Sequence, residues 1–183
     1  MSFDRNEPWL APEHFWRPVA EAARDLIGRT LRVHSSHGPL DAIIVETEAY
    51  GGHDDPASHA AFRPGGRAAL MAAAPGHIYV YAAYGMYPCL NIVAEPEGRA
   101  AAVLIRGIWV DGDRKVTLGP GRTTRRLGVV LSDHGRRIGD GRFAIGAERR
   151  ELRLACTPRI GITRGVETPW RFVADMTPEW QRP

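Results

Sequence analysis

Five extended stretches between residues 29 and 110 constrain this chain more than anything else in it. They read "RTLRVHS", "LDAIIVETEAY", "HIYVYAAYG", "YPCLNIVAE" and "AAAVLIRGIWV". Each is rich in β-branched, aliphatic or aromatic residues and bounded by turn formers, which is the pattern of a strand. "SHGP" joins the first two and Gly85-Met86 joins the third and fourth, so both pairs read as hairpins. Three strands in succession favour an antiparallel or mixed sheet.

Helical signals are fewer. "PVAEAARDLI" (residues 18–27) carries Val19, Ala22, Ala23, Leu26 and Ile27 at helical spacing, with Pro18 in the first turn and Gly28 just past the end. The Gly- and Pro-rich stretch 51–66 reads as a loop, and "GRAALMAAA" as a short helix ending before Pro75-Gly76. Beyond residue 110 the chain is rich in Arg and Gly, with short apolar segments ("RRLGVVL", "RFAIGA", "RIGIT", "WRFVA"). No repeat, linker or low-complexity tract interrupts it. With 183 residues, 44% hydrophobic and 25% charged, the chain suits one α+β domain over residues 1–183.

No run approaches the ~18 apolar residues of a membrane helix, and "MSFDRNEPWLAPEHFW" has no signal-peptide apolar region. The expected location is the cytoplasm, with no membrane partner. Cys89 and Cys156 lack CxxC spacing and read as buried thiols. Residues 122–164 hold eleven arginines against four acids, a balance of +7; the whole chain carries +3, so the remainder carries −4. Such a segment points to an anionic partner, nucleic acid first, unless it is simply a solvated Arg-rich surface.

Three groups of residues carry possible chemistry. The first is "VETEAYGGHDDPASHA" (residues 45–60). His53, Asp54, Asp55 and His59 are metal-ligand types, but their spacing is not the helical HExxH, and Asp/Gly/Pro/His runs also make ordinary turns. The second is charge inside apolar strands. Strand alternation sends Glu46, Glu48 and Tyr50 to one face, and Arg106 interrupts "VLIRGI". A Glu and an Arg so placed either pair structurally or flank a water or substrate. The third is "YVYAAYGMY". Tyr79 and Tyr87 read as packing, whereas Tyr84 and Met86, at a glycine-containing tip, suit insertion between stacked bases.

Taken together, "IIVETEAY", "DDPASHA", "PGHIYVYAAYGMYPCLNIV" and "AVLIRG" resemble the alkyladenine DNA glycosylase family (3-methyladenine, or methylpurine, DNA glycosylases). Weaker likeness continues through "LGPGRTTRRLGV" and "TPRIGI" to "PWRF", in family order over nearly the whole chain. The resemblance implies a curved, mostly antiparallel sheet with a protruding β-hairpin and short flanking helices. It also implies a monomer that binds duplex DNA containing a damaged purine and needs no metal or cofactor.

Matched residue by residue, Glu48 takes the catalytic place and Glu46 takes none. Arg106 helps hold the attacking water, and the main-chain carbonyl of Ile160 is its third partner. Tyr50 on one face, and His59 with Tyr81 on the other, enclose the flipped base. Asn91 crowds the exocyclic amine of guanine, Tyr84 is the wedge, and Met86 lies beside it. Arg63 and Arg67 match phosphate contacts, with Arg159 a third. The stretch "FRPGGRAALMAA" departs from the denser Arg/Thr/Asn pattern usual there, and Pro88 stands where large aromatics are usual. The chemistry implied is hydrolysis of a purine N-glycosidic bond through an oxocarbenium-like sugar. A single lysine, Lys115, argues against a Schiff-base lyase step. The competing classes are a non-catalytic protein that binds damaged duplex and a metal-dependent hydrolase using His53, Asp54, Asp55 and His59.

Overall fold

The computed structural model describes residues 8–36 and 38–175; the single domain expected over residues 1–183 reaches past them at both ends. All five extended stretches are strands: β1 (Arg29–Ser35), β2 (Gly38–Tyr50), β3 (Ile78–Ala83), β4 (Tyr87–Val93) and β5 (Ala102–Val110). Four further strands follow: β6 (Thr117–Leu118), β7 (Phe143–Arg149), β8 (Leu154–Thr157) and β9 (Arg171–Ala174). They form one open sheet in the order β3-β4-β5-β2-β1-β7, with β6 on β5 and the β8–β9 pair joined to β2. Every ladder between named strands is antiparallel. The class is α+β.

The helix α1 (Val19–Leu26) forms where its apolar spacing predicts and buries Val19, Ala22, Ala23 and Leu26 against the sheet. Ile43, Ile44, Ile105 and Ile108 of β2 and β5 belong to the same buried core. Each such side chain contributes about 1.5–3 kcal/mol when fully buried. The Thr47 hydroxyl on β2 donates to the Ala23 carbonyl at 2.8 Å, which pins helix to strand inside the core. Gly28 must be glycine. Its φ is +88°, and an added Cβ would lie 2.3 Å from the Arg150 carbonyl oxygen.

Two expectations are corrected, the loop over 51–66 and the burial of both thiols. The loop over 51–66 contains a helical turn, α2 (His59–Phe62), capped by Ser58, whose Oγ accepts the Ala60 N–H at 3.2 Å. "GRAALMAAA" is the short helix expected, of the 3-10 type, at Gly66–Ala72 and ending before Pro75. A further helix, α3 (Pro120–Leu127), starts on a proline and stops at Gly128 in the left-handed conformation. Of the two thiols, Cys89 is buried but Cys156 is exposed.

Candidate active site

Glu48 sits in the second half of β2, flanked by β5 on one side and β9 on the other, opposite Leu104 and Arg171. The β2–β5 ladder is irregular here: Glu46 pairs with Gly107 and Thr47 with Ile105, which leaves Arg106 as an extra residue on β5. A bulge of this kind re-aims a side chain. Gly107 permits the close approach, since a Cβ there would lie 2.8 Å from Cβ of Glu46. The Thr123 hydroxyl of α3 anchors the bulge by donating to the Arg106 carbonyl at 2.9 Å.

Glu48 is fully buried, and each of its oxygens has donors. Oε1 accepts the main-chain N–H of Ile160 at 2.7 Å, and Oε2 accepts the Tyr50 hydroxyl at 2.8 Å. Arg106 approaches both oxygens more loosely, Nε at 3.4 Å from Oε1 and Nη1 at 3.5 Å from Oε2. Burial pushes the Glu48 carboxyl above its ordinary value, and the charge of Glu46 adds to this. Arg106, the Ile160 N–H and the Tyr50 hydroxyl act the other way but do not cancel it. Burial, followed by the neighbouring Glu48, also raises Tyr50, so its phenol stays protonated as the donor.

A cleft of about 1070 Å³ opens above this cluster, lined among others by Tyr50, His59, Tyr81, Asn91, Arg106 and Ile160. The His59 ring stands edge-on to Tyr81, with centroids 4.5 Å apart and planes at 78°. Burial and the nearby Arg63 cation lower the His59 pKa, which favours a neutral ring. Asn91 is locked, its amide nitrogen donating to the carbonyls of Tyr79 at 3.0 Å and Cys89 at 3.1 Å. Tyr84 and Met86 lie at the tip of the β3–β4 hairpin, Tyr84 being 90% exposed. Tyr84 (φ +51°) and Gly85 (φ +73°), closed by the Met86 N–H on the Ala83 carbonyl at 3.1 Å, make a type I′ turn.

Glu48, Arg106, Ile160 and Tyr50 therefore meet, and the other aromatic candidates line the same cleft. In the Ile160 contact the N–H is the atom that touches Glu48. Arg63 and Arg67 are exposed along the cleft. Arg67 also donates to the carbonyls of Val80 and Leu131 at 3.4 and 3.2 Å.

Arg159 does not present itself to a phosphate. Its side chain is 1% exposed and forks onto Asp55 at 2.6 and 2.8 Å. It also donates to the Ala49 carbonyl at 2.9 Å, and its guanidinium lies between the rings of Tyr50 (4.9 Å) and Trp170 (5.4 Å). It braces the back of Tyr50 and the chain leading to Ile160. Asp55 is thereby committed to Arg159, which removes one of the four candidate metal ligands, and His59 Nδ1 is hydrogen-bonded to the Tyr79 hydroxyl at 2.7 Å. Among the described residues no cluster of three His, Cys, Asp or Glu side chains is arranged to hold a metal ion.

Sequence reasoning missed Tyr79, which orients His59, and Arg171, which donates to Glu46 at 2.6 Å. It also read the basic segment too simply. Arg126, Arg136, Arg142, Arg149 and Arg159 each pair with an aspartate of this chain. Arg122 and Arg125 stay exposed on α3, whose Thr124 hydroxyl donates to the Pro88 carbonyl at 2.8 Å and so packs the helix against the β3–β4 hairpin. No described helix is long and apolar enough to cross a membrane.

Comparison with known proteins places the chain in a family. A family model described as methylpurine-DNA glycosylase matches residues 13–178. A Rhodopseudomonas palustris (strain CGA009) protein named "Putative 3-methyladenine DNA glycosylase" is 39% identical over 178 residues, covering 90% of this chain and 84% of its own. Relatives of the same name occur in the Wolbachia of Brugia malayi (42% identical; 89% and 96% covered) and in Rickettsia rickettsii (41%; 90% and 88%). The chain belongs to the methylpurine-DNA glycosylase family and is an N-glycosyl hydrolase of that class.

Proposed function

We propose that this protein flips a damaged purine out of duplex DNA into the aromatic cleft and hydrolyses its N-glycosidic bond with a water activated by Glu48. The observation that carries this is the convergence of Arg106, Tyr50 and the Ile160 main chain on one buried carboxylate beneath that cleft. Ionised Glu48 takes a proton from water and stabilises positive charge on the departing sugar. Arg106 and the Ile160 main chain hold the nucleophile, with no metal or cofactor involved. An alkylated purine leaves readily because it is already cationic.

The recognition roles follow from placement and chemistry. Tyr50, His59 and Tyr81 supply stacking surfaces, each worth about 1–3 kcal/mol per base in comparable sites. Asn91, held by two carbonyls, is a rigid wall that rejects a purine carrying an amine where it stands. Tyr84, with Met86 beside it, fills the gap left in the duplex; flipping costs a few kcal/mol, least at damaged or mispaired positions. Arg63 and Arg67 contact phosphates, joined by Arg122 and Arg125 of α3 beside the hairpin.

Full burial of Glu48 between three donors also suits a purely structural role, which makes a non-catalytic damage-binding protein the second reading. Both are tested by incubating the protein, with chelator, with a duplex holding one hypoxanthine and with alkylated DNA, reading abasic sites by alkaline cleavage. Base release by the wild type and none by Glu48→Gln supports the enzyme. Tight binding without release supports the binding protein.

A further inference from the structure

Glu46 is a buried carboxylate that no step above uses. It is 2% exposed and stands two residues before Glu48 on β2. Its Oε1 accepts Nε of Arg106 at 3.0 Å and Nε of Arg171 at 2.6 Å, so one oxygen serves two guanidinium groups. Arg171 is tied in turn to the Thr157 hydroxyl at 2.9 Å, across the β8–β9 ladder. Gly107 leaves room for Glu46, since a Cβ at that position would lie 2.8 Å from Cβ of Glu46.

The cluster of two carboxylates and two guanidiniums is neutral as a whole, but Arg106 is shared unequally. It is closer to Glu46 (3.0 Å) than to either oxygen of Glu48 (3.4 and 3.5 Å). An arginine that forked onto Glu48 would occupy its lone pairs and depress its basicity. A competing carboxylate prevents that collapse.

We propose that Glu46, anchored by Arg171, is a positioning residue that draws Arg106 off Glu48 and so keeps Glu48 free to act as a base. The role rests on the reading of Glu48 given above. The groups that face Glu48 are Glu46 and Tyr50 from β2, Arg106 from β5 and the Ile160 N–H from the loop after β8; Arg171 of β9 joins them through Glu46. Glu46 is the one neighbour among these whose charge favours the protonated form of Glu48.

The test is the pH profile of single-turnover release of 3-methyladenine from an alkylated duplex, a base whose departure needs no added proton and which lacks the amine that Asn91 crowds. Wild type, Glu46→Gln, Glu46→Asp and Arg171→Gln are compared, with thermal unfolding and duplex affinity measured for each. Glu46→Gln is expected to release base about ten- to a hundredfold more slowly, with its acid limb moved to lower pH by about half a pH unit or more. Its duplex affinity should stay at the wild-type value. Arg171→Gln removes a cation, so its limb moves to higher pH, and Glu46→Asp keeps the wild-type limb.

A folded Glu46→Gln with unchanged rate and limb overturns the role, as do limbs that move the same way in Glu46→Gln and Arg171→Gln. Should Glu46→Gln fail to fold, an unmoved limb in Arg171→Gln overturns it instead. Release retained by Glu48→Gln, or none from the wild type, brings down the catalytic reading itself. Glu48→Gln inactive with Glu46→Gln unchanged brings down only the role of Glu46.

Discussion

Tyr50 and Glu48, two residues apart on β2, meet through their side chains, the phenol donating to the carboxylate at 2.8 Å. The residue that walls the cleft is thus also a donor to the proposed base. Tyr50→Phe keeps the ring but removes a group that favours the ionised carboxylate. The acid limb of base release should move to higher pH, and the rate near neutrality should fall by about tenfold. Lesion binding, which depends on the ring, should change little. Single-turnover rates across pH, beside equilibrium binding to the same duplex, check both statements.

Glu48→Gln should lower base release by about a hundredfold or more, the scale of a lost general base, and should also stabilise the fold. Burial raises the Glu48 pKa in the native state, so the folded protein binds that proton more tightly than the unfolded chain does. Ionising Glu48 therefore costs stability above its folded pKa, and the cost vanishes below the unfolded one. Glutamine removes the cost, while Arg106 keeps Glu46 as its partner. The gain in Tm over wild type should be largest at neutral pH and shrink on acidification, at about 2–4 °C per kcal/mol recovered. Unfolding scans of both proteins between pH 4 and pH 8 measure it.

Sequence alone discloses the sheet far better than the network behind the site. Strands β1 to β5 are legible because apolar and β-branched residues run between clear turn signals. The α2 turn is four residues long and has no periodicity to read; only Ser58 at its cap marks it. Helix α3, "PGRTTRRL", buries two threonines and one leucine, so its evidence is Pro120 at the start and Gly128 after the end. The site residues on β2 and β5 stand out as charges in apolar strands, but their partners do not. Arg171 lies 125 positions from Glu46 and Arg159 lies 104 from Asp55, and no sequence window joins them. Arg159 looks like a surface cation for the same reason: its burial is decided by the β2 and post-β8 segments coming together.

Tyr84 holds a positive φ that a tyrosine adopts only at a cost of order 1–3 kcal/mol. The type I′ turn it begins prefers asparagine before glycine. Tyr84→Asn should raise Tm by about 2–4 °C and at the same time weaken retention of the flipped base. Unfolding scans, paired with fluorescence of a reporter base beside the lesion, separate the two effects. A Tyr84→Asn protein that is less stable than wild type would remove the assignment of strain to this turn.

Arg159 and Arg63 give opposite expectations although both are arginines near the cleft. Arg159→Gln strands Asp55 in a buried site and withdraws the cation from Tyr50 and Trp170, so it should destabilise the fold by about 3–5 kcal/mol. Since its guanidinium does not reach the surface, the dependence of duplex affinity on salt should keep the wild-type slope. Arg63→Gln, on an exposed side chain, should leave Tm unchanged. It should weaken binding to damaged and undamaged duplexes alike and reduce the salt slope by about one. Arg122→Gln and Arg125→Gln on α3 should behave as Arg63→Gln does. Titrations of duplex at several salt concentrations, with denaturant unfolding of the same variants, decide each case. An Arg159→Gln protein of normal stability with a shallower salt slope would restore Arg159 as a phosphate contact.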